Sequence, residues 1–324
     1  MSGLSDWFSL RNAPVPATAL ELASNRVGAA TVDARAGRPS VTAHAVELLA
    51  EGVLVPSLTQ PNVKDPDTLL AAVKRVLEAA GRPRRIVLIL PDAVAKVSLV
   101  RFEKTPASAS DLDQLVRWQV RKAAPFPIDE AQVSYVRGAR HADGQEFIVT
   151  LARRDVVREY EALCEAAGAH AGIVDIATFN VANAVLAGSG GTGGDWLLVN
   201  VAPDSASIAI LRGHDLLFFR SRGADAEGSL ADLVHQTAMY YQDRLAGAGF
   251  ERVLLCGAAA AGGRQAIDVE HIRRSLEQRL DTQVQTVDPR TAVALTDRIS
   301  ASQAMLDTLA PLVGAVLRGR EVAV

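Results

Sequence analysis

The sequence predicts an α/β protein built from two copies of one pattern. Residues 17–91 read as three meandering strands, an amphipathic helix and a buried strand, and the order restarts at residue 195. Between the copies "GSGGTGG" at 188–194 breaks the composition abruptly and reads as a linker. At 324 residues the chain suits two compact units or one large one, and 49% apolar with 22% charged residues is an ordinary globular balance.

The first three strands are 17–22, 27–32 and 41–48, separated by turn signals at Ser24-Asn25 and Ala36-Gly37-Arg38-Pro39. A helix over 67–80 carries Leu69, Leu70, Val73, Val76 and Leu77 on one stripe and stops at Gly81. "RRIVLILP" is a nearly continuous apolar run, the mark of a strand covered on both faces. A Ser-rich cap then opens a helix over 110–124, which runs into Pro125-Phe126-Pro127. Two strands, "AQVSYVRGAR" and "QEFIVTLAR", follow around a hairpin at His141-Ala142-Asp143-Gly144. A helix over 155–167, the strand "AGIVDIATF" and a short helix "NVANAVLA" complete this half. In the second copy the meander "DWLLVNVAPDSASIAILRGHDLLFFRSRG" leads to a helix over 230–245 and the buried strand "ERVLLC", which enters a Gly/Ala loop. A helix over 268–280, the short strand "TQVQTVD" and a closing helix over 302–319 end the chain.

Composition narrows the function classes. A net charge of −3 lacks the basic footprint that holds a nucleic-acid backbone. No apolar run approaches the roughly 18–20 residues of a membrane span, and the first residues lack a signal-peptide core. Cys164 and Cys256 lie far apart in apolar surroundings, which suits a reduced, cytoplasmic protein. The six histidines show no paired metal spacing, and neither a Gly-x-Ser-x-Gly elbow nor a Gly-Lys-Ser/Thr loop occurs. The glycine-rich stretch follows a helix and precedes a strand, the reverse of a helix-terminus anion site. The acidic pair Asp129-Glu130 reads as a solvated strand entry. Enzymatic activity is not expected. At the N-terminus Leu4, Trp7 and Phe8 share a helical side behind Ser5, which suits an interfacial anchor, a partner contact or simple packing.

The stretch "LVRWQVRKAAPFPIDE" raises a sharper question. Proline lacks an N–H and clashes with the preceding turn, so Pro-Phe-Pro ends the helix with a conformationally locked knuckle. Its plain reading is a helix stop that buries Phe126; its other reading is a docking surface. The segment through "AQVSY" resembles the helix-to-knuckle signature of the PilM family of type IV pilus assembly proteins. The duplicated meander is similar to theirs in element order over most of the chain. The resemblance implies a duplicated actin-like (ribonuclease-H-like) fold. Its first half would be 1–104 with 153–187, its inserted helix–hairpin subdomain 105–152, and its second half 195–324. It also implies a cytoplasmic scaffold of a type IV pilus or type II-like secretion platform at the inner face of the inner membrane. Such a scaffold would bind the N-terminal tail of a PilN-like membrane protein. Trp118, Arg121, Lys122, Phe126, Pro127 and Ile128 are the expected peptide-binding residues. A nucleotide-driven actin-like ATPase and a GspL-type cytoplasmic domain are the alternatives.

An actin-like fold grips phosphates with glycine-containing turns and an acid that organises Mg²⁺. Here Ala23 stands where the family favours glycine, and Asn200-Val201-Ala202-Pro203 stands for Asp-x-Gly. Ala258 and Ala259 follow Gly257 where further glycines are usual, and only "ADAEGS" separates the second meander from its helix. The nucleotide-covering subdomain of the second half is therefore expected to be missing. Ser24, Asn25, Asn200, Asp204 and Gly257 form a degenerate nucleotide site. No cofactor is expected, with Mg-ATP the disfavoured possibility.

Overall fold

The computed structural model describes residues 14–34, 37–189, 193–223, 228–262, 268–296 and 302–318. The Leu4–Trp7–Phe8 side lies outside them.

The first meander is β1 (Thr18–Ala23), β2 (Arg26–Asp33) and β3 (Ser40–Leu48), antiparallel throughout. Helix α1 (Pro66–Ala79) starts where Asp65 accepts from Thr68 N at 3.1 Å and Pro66 supplies a preset φ. It returns the chain to β4 (Arg85–Leu90), which pairs in parallel with β1. With β8 (His170–Ile176) and the two-residue β14 (Ala294–Leu295) the sheet order is β14-β3-β2-β1-β4-β8. The second meander, β9 (Asp195–Val201), β10 (Ser205–Arg212) and β11 (Asp215–Gly223), joins β12 (Arg252–Cys256) and β13 (Val284–Thr286) in the order β11-β10-β9-β12-β13. Both sheets place the meander backwards and then continue from its first strand with parallel strands. This is the duplicated actin-like architecture. Helix α5 (Leu230–Leu245) begins seven positions after β11 ends.

Between β4 and β8 sits a third sheet, β5-β7-β6, made of β5 (Ala95–Phe102), β7 (Gly144–Arg153) and β6 (Ala131–His141). Helix α2 (Ala109–Val120) covers its outer face, packing Val116 and Val120 against Phe102, Val133, Phe147, Val149 and Leu151. A boundary at residue 105 cuts this unit, because β5 pairs with β7 along its whole length. Both faces of β5 are partly covered, so adjacent Leu99 and Val100 are each half-buried and no period-2 signal survives. Helix α2 stops at Val120 rather than at residue 124: Arg121 keeps helical dihedrals, but Ala123 N and Ala124 N both turn back to Val120 O at 2.9 and 3.2 Å, and Pro125 excludes Ala124 from the helix.

The remaining helices are α3 (Arg154–Ala166), α4 (Ala177–Ser189), α6 (Ala258–Ala261), α7 (Val269–Leu280) and α8 (Gln303–Leu317). Serine caps recur: Ser108, Ser229 and Ser302 accept from the backbone three residues on at 3.4, 3.1 and 3.3 Å. The Gly/Ala stretch after β12 forms the single turn α6, not a loop. Gly188 likewise belongs to α4 rather than to a linker: an added Cβ would meet the Thr291 side chain and lie 3.0 Å from Ala292 N.

Helix α8 packs under β1, β2 and β4 with Leu309, Leu312 and Val313. It also crosses α4 at Gly314, where an added Cβ would lie 2.7 Å from Ala184 N and meet Asn180 O. Gly314→Ala should therefore cost about 1–3 kcal/mol through forced helix separation. Gly193→Ala, with nothing within 4 Å of the new methyl, should cost almost nothing. Urea melts of the two variants decide the point, and equal midpoints would show that the crossing tolerates a side chain.

Candidate functional site: the cleft and the groove beneath the small sheet

Two turns face each other where the halves meet. In the first, Ser24-Asn25 joins β1 to β2, and Arg26 reaches back to Glu21 with Nη2 2.9 Å from Oε2. Both side chains are less than a tenth exposed. Burial pushes the Glu21 carboxyl up, outweighing the neighbouring guanidinium. Arg26 Nη1 also donates to Asn25 Oδ1 at 3.2 Å, which fixes the amide. Asn25 Nδ2 then donates to Ala260 O and Ala261 O, each at 3.0 Å. One asparagine thus clips the first half to α6 of the second.

Beneath this clip runs a buried polar chain. Asn200 Nδ2 donates to Thr178 Oγ1 at 2.9 Å, and the Thr178 hydroxyl donates onward to Asp92. Asp92 accepts from Thr178 N as well, at 3.0 Å, and so satisfies the N-terminus of α4 from a distant segment. Asp307 of α8 plays the same part for α6, accepting from Ala259 N at 2.8 Å while Gln303 Nε2 steadies it at 2.9 Å. Burial pushes both carboxyls up. Gly257 holds φ at 82°, and any Cβ there would collide with Val201 O and lie 3.0 Å from Asn200 Oδ1.

Above the clip opens a cavity of about 690 Å³, walled by Ser24, Asn25, Pro203, Asp204 and the apolar Leu48 and Val55. Of the five expected nucleotide positions, Ser24, Asn25 and Asp204 meet there, while Asn200 and Gly257 lie below it. Donors that a phosphate chain could use are engaged elsewhere: the Asn25 amide on α6, and Arg26 Nη1 and Nη2 on Asn25 and Glu21. Arg26 Nε is buried and, among the described residues, unpaired, while Pro203 has no N–H. Asp204, mostly buried, has its carboxyl pushed up by desolvation, and its Oδ2 makes no hydrogen bond. Among the described residues no three His, Cys, Asp or Glu side chains could hold a metal ion. Sequence reasoning missed Arg26, Asp92, Thr178 and Asp307. A charged residue directly after a turn or an apolar strand was the available signal for the first two.

The knuckle residues divide between two environments. Trp118 is 70% exposed and shares the outer side of α2 with Arg121 and Lys122. Phe126 and Ile128 pack half-buried against the core under α2, and Pro127 is exposed between them. None of the six reaches the groove on the other face of the small sheet. That groove consists of two cavities, about 450 and 250 Å³, sharing Ser134, Thr150, Val174 and Asp175. Its far wall is β8, the last strand of the first sheet. All six residues from Ala171 to Ile176 line it, so the edge of β8 that no strand among the described residues pairs with faces the groove, rather than one of its faces. Arg154, Arg158, Glu161 and Arg318 ring its polar margin.

A sequence model of the family described as type IV pilus assembly protein PilM matches residues 19–231, more than half of the chain. The chain belongs to this family. No curated protein matches it by sequence. A solved PilM–PilN type IV pilus biogenesis complex shares its fold, at 20% identity over 94% of this chain and 98% of that one, with a TM-score of 0.78. A Bacteroides thetaiotaomicron protein with an actin-like ATPase fold is similar at 10% identity, over 88% and 95%, with a TM-score of 0.49. The cytoplasmic domain of EpsL, an inner membrane component of the type II secretion system of Vibrio cholerae, is similar at 12% identity, over 91% and 94%, with a TM-score of 0.46. Among the described residues of this PilM-family chain, no helix is long and apolar enough to cross a membrane.

Two outcomes follow from the cleft. Arg26→Ala leaves Glu21 buried without a partner and should cost about 3–5 kcal/mol, whereas Glu21→Gln/Arg26→Met should cost far less. A single variant as stable as the double in denaturant would show that the pair is not a buried unit. Asp204 has a folded pKa raised above its unfolded value of about 3.9. The native state therefore holds the extra proton, and that stabilisation is full below the unfolded value and lost as pH rises through the folded one. Asp204→Asn should raise the melting temperature at pH 7 and change it little at pH 3.5. Calorimetry at both values is the check, and a gain confined to acid would reverse the assignment.

Proposed function

We propose that this chain is a non-cycling scaffold of the type IV pilus assembly platform, placed at the inner face of the inner membrane by its partners. It captures the N-terminal cytoplasmic tail of a PilN-like inner-membrane protein in the groove beneath the small sheet. The observation that carries this reading is the free edge of β8. An extended peptide added there gains backbone hydrogen bonds along a strand, while the inner face of the small sheet supplies side-chain pockets. The PilM fold it shares was solved with PilN in one complex, which supports the choice of partner. The Asn25 clip and the separate Asn200–Thr178–Asp92 chain support the absence of a nucleotide cycle, because the halves are joined by the protein's own groups.

Calorimetric titration with a synthetic N-terminal segment of the PilN-like protein from the same organism tests it. Thr150 lines both cavities, so Thr150→Trp should weaken the peptide by about tenfold or more through simple occlusion, with an unchanged melting temperature. Trp118→Ala, on the opposite side of the unit, should leave binding intact. The reverse result would move the docking site to the outer side of α2 and the knuckle. A tight complex with Mg-ATP in the same instrument would overturn the non-cycling part of the reading.

A further inference from the structure

One extra residue on β6 turns two arginines the same way. The register between β6 and β7 passes from Arg137↔Phe147 to Arg140↔Gln145, three steps on one strand against two on the other. Residues three apart in a regular strand point to opposite faces, and the bulge cancels one alternation. Arg137 and Arg140 accordingly line a single cavity of about 430 Å³ at the hairpin tip, together with His141, Thr105 and the end of β5 at Phe102. The bulge is held by its own hydrogen bonds. Gln145 Nε2 donates to the carbonyls of Gly138, Ala139 and Glu146 at 2.9, 3.3 and 2.9 Å. Gly144 presses the tip against β5, where an added Cβ would lie 2.9 Å from the carbonyl carbon of Phe102.

The charges around the cavity leave the two guanidiniums available. Asp143 is engaged by Arg101, with both carboxylate oxygens 3.1 Å from Nη1. Glu146 faces His141 at 3.7 Å, and His141 Nε2 is buried without a hydrogen bond. Glu103 is the remaining acid on the rim. Arg137 and Arg140 are exposed and make no ion pair among the described residues. Two planar forks opening into one cavity match the tetrahedral oxygens of a phosphate better than a single carboxylate. We infer that the β6 bulge forms a binding site for a phosphate ester, either free in solution or carried by a lipid headgroup.

Titration with pyrophosphate and flotation with phosphatidylglycerol vesicles, against phosphatidylcholine vesicles, test this on the full chain. The wild type binds at least one of the two probes. Arg137→Gln/Arg140→Gln weakens that binding by about tenfold. Arg121→Gln/Lys122→Gln, which removes the same charge from the exposed end of α2, leaves it unchanged. Deleting Ala139 keeps every arginine but swings Arg140 to the other face, and should weaken binding as much as the double substitution. Pyrophosphate binding assigns a soluble ester, and vesicle binding alone assigns a headgroup. No binding of either probe, equal loss in the two double variants, or full binding by a folded Ala139 deletion overturns the site.

Discussion

Helix α8 is the constraint on which both halves depend. Its residues from Leu306 to Leu317 are all buried, as an internal helix with no solvent face must be. It supplies Leu309, Leu312 and Val313 to the first sheet, although it arrives after the whole second half has been traced. Its second turn carries Asp307, which accepts from Ala259 N of α6 in that second half. Its Gly314 lets α4 approach to backbone distance, and α4 begins at the Thr178 hydrogen-bond chain. A single helix therefore fixes where the two sheets meet, and the geometry of the cleft follows from that placement.

Given that placement, the cleft caps its helix ends internally, while Asp204 Oδ2 and Arg26 Nε stay unpaired among the described residues. Buried N–H groups at the starts of α4 and α6 need acceptors, and Asp92 and Asp307 provide them from distant segments. The carbonyls at the end of α6 need donors, and Asn25 provides those. A bound nucleotide could satisfy such groups in an actin-like cleft, but here Thr178 N, Ala259 N, Ala260 O and Ala261 O have protein partners. The Glu21–Arg26 pair extends the same logic to charge: a lone buried carboxylate is costly, and an adjacent guanidinium offsets that cost.

Much of this was legible in the sequence because it rests on local signals. The turn at Ser24-Asn25, the Ser-rich cap before α2, the apolar run of β4 and the repeated meander together imply the duplicated fold, and the two sheets share that order. The misses have a common cause. Strand β5 is covered on both faces, so its pattern carries no period. Gly188 looks like linker beside its neighbours, yet its value is a close approach to Thr291, which is distant in sequence. Asp92 meets Thr178, and Asp307 meets Ala259, only after distant chain segments have packed. Composition and spacing cannot report a contact made by α8 at the end of the chain.

The knuckle shows how a local signal can be read correctly and still leave its role open. A turn at 121–124 leads α2 into Pro125, which bars any return to helix, and the chain turns so that Phe126 and Ile128 close the core under the helix. Lys96 Nζ binds Ala123 O at 2.7 Å and ties this corner to β5. The outer face of the small sheet is thereby sealed by α2 and the knuckle. The inner face keeps Ser134 and Thr150 opposite the free edge of β8. A sheet with one sealed face and one facing an unpaired strand edge has a preferred side for an extended peptide. Locking the corner with two prolines keeps that inner face in position, so in the docking mode proposed above the knuckle holds the wall of the groove and does not line it.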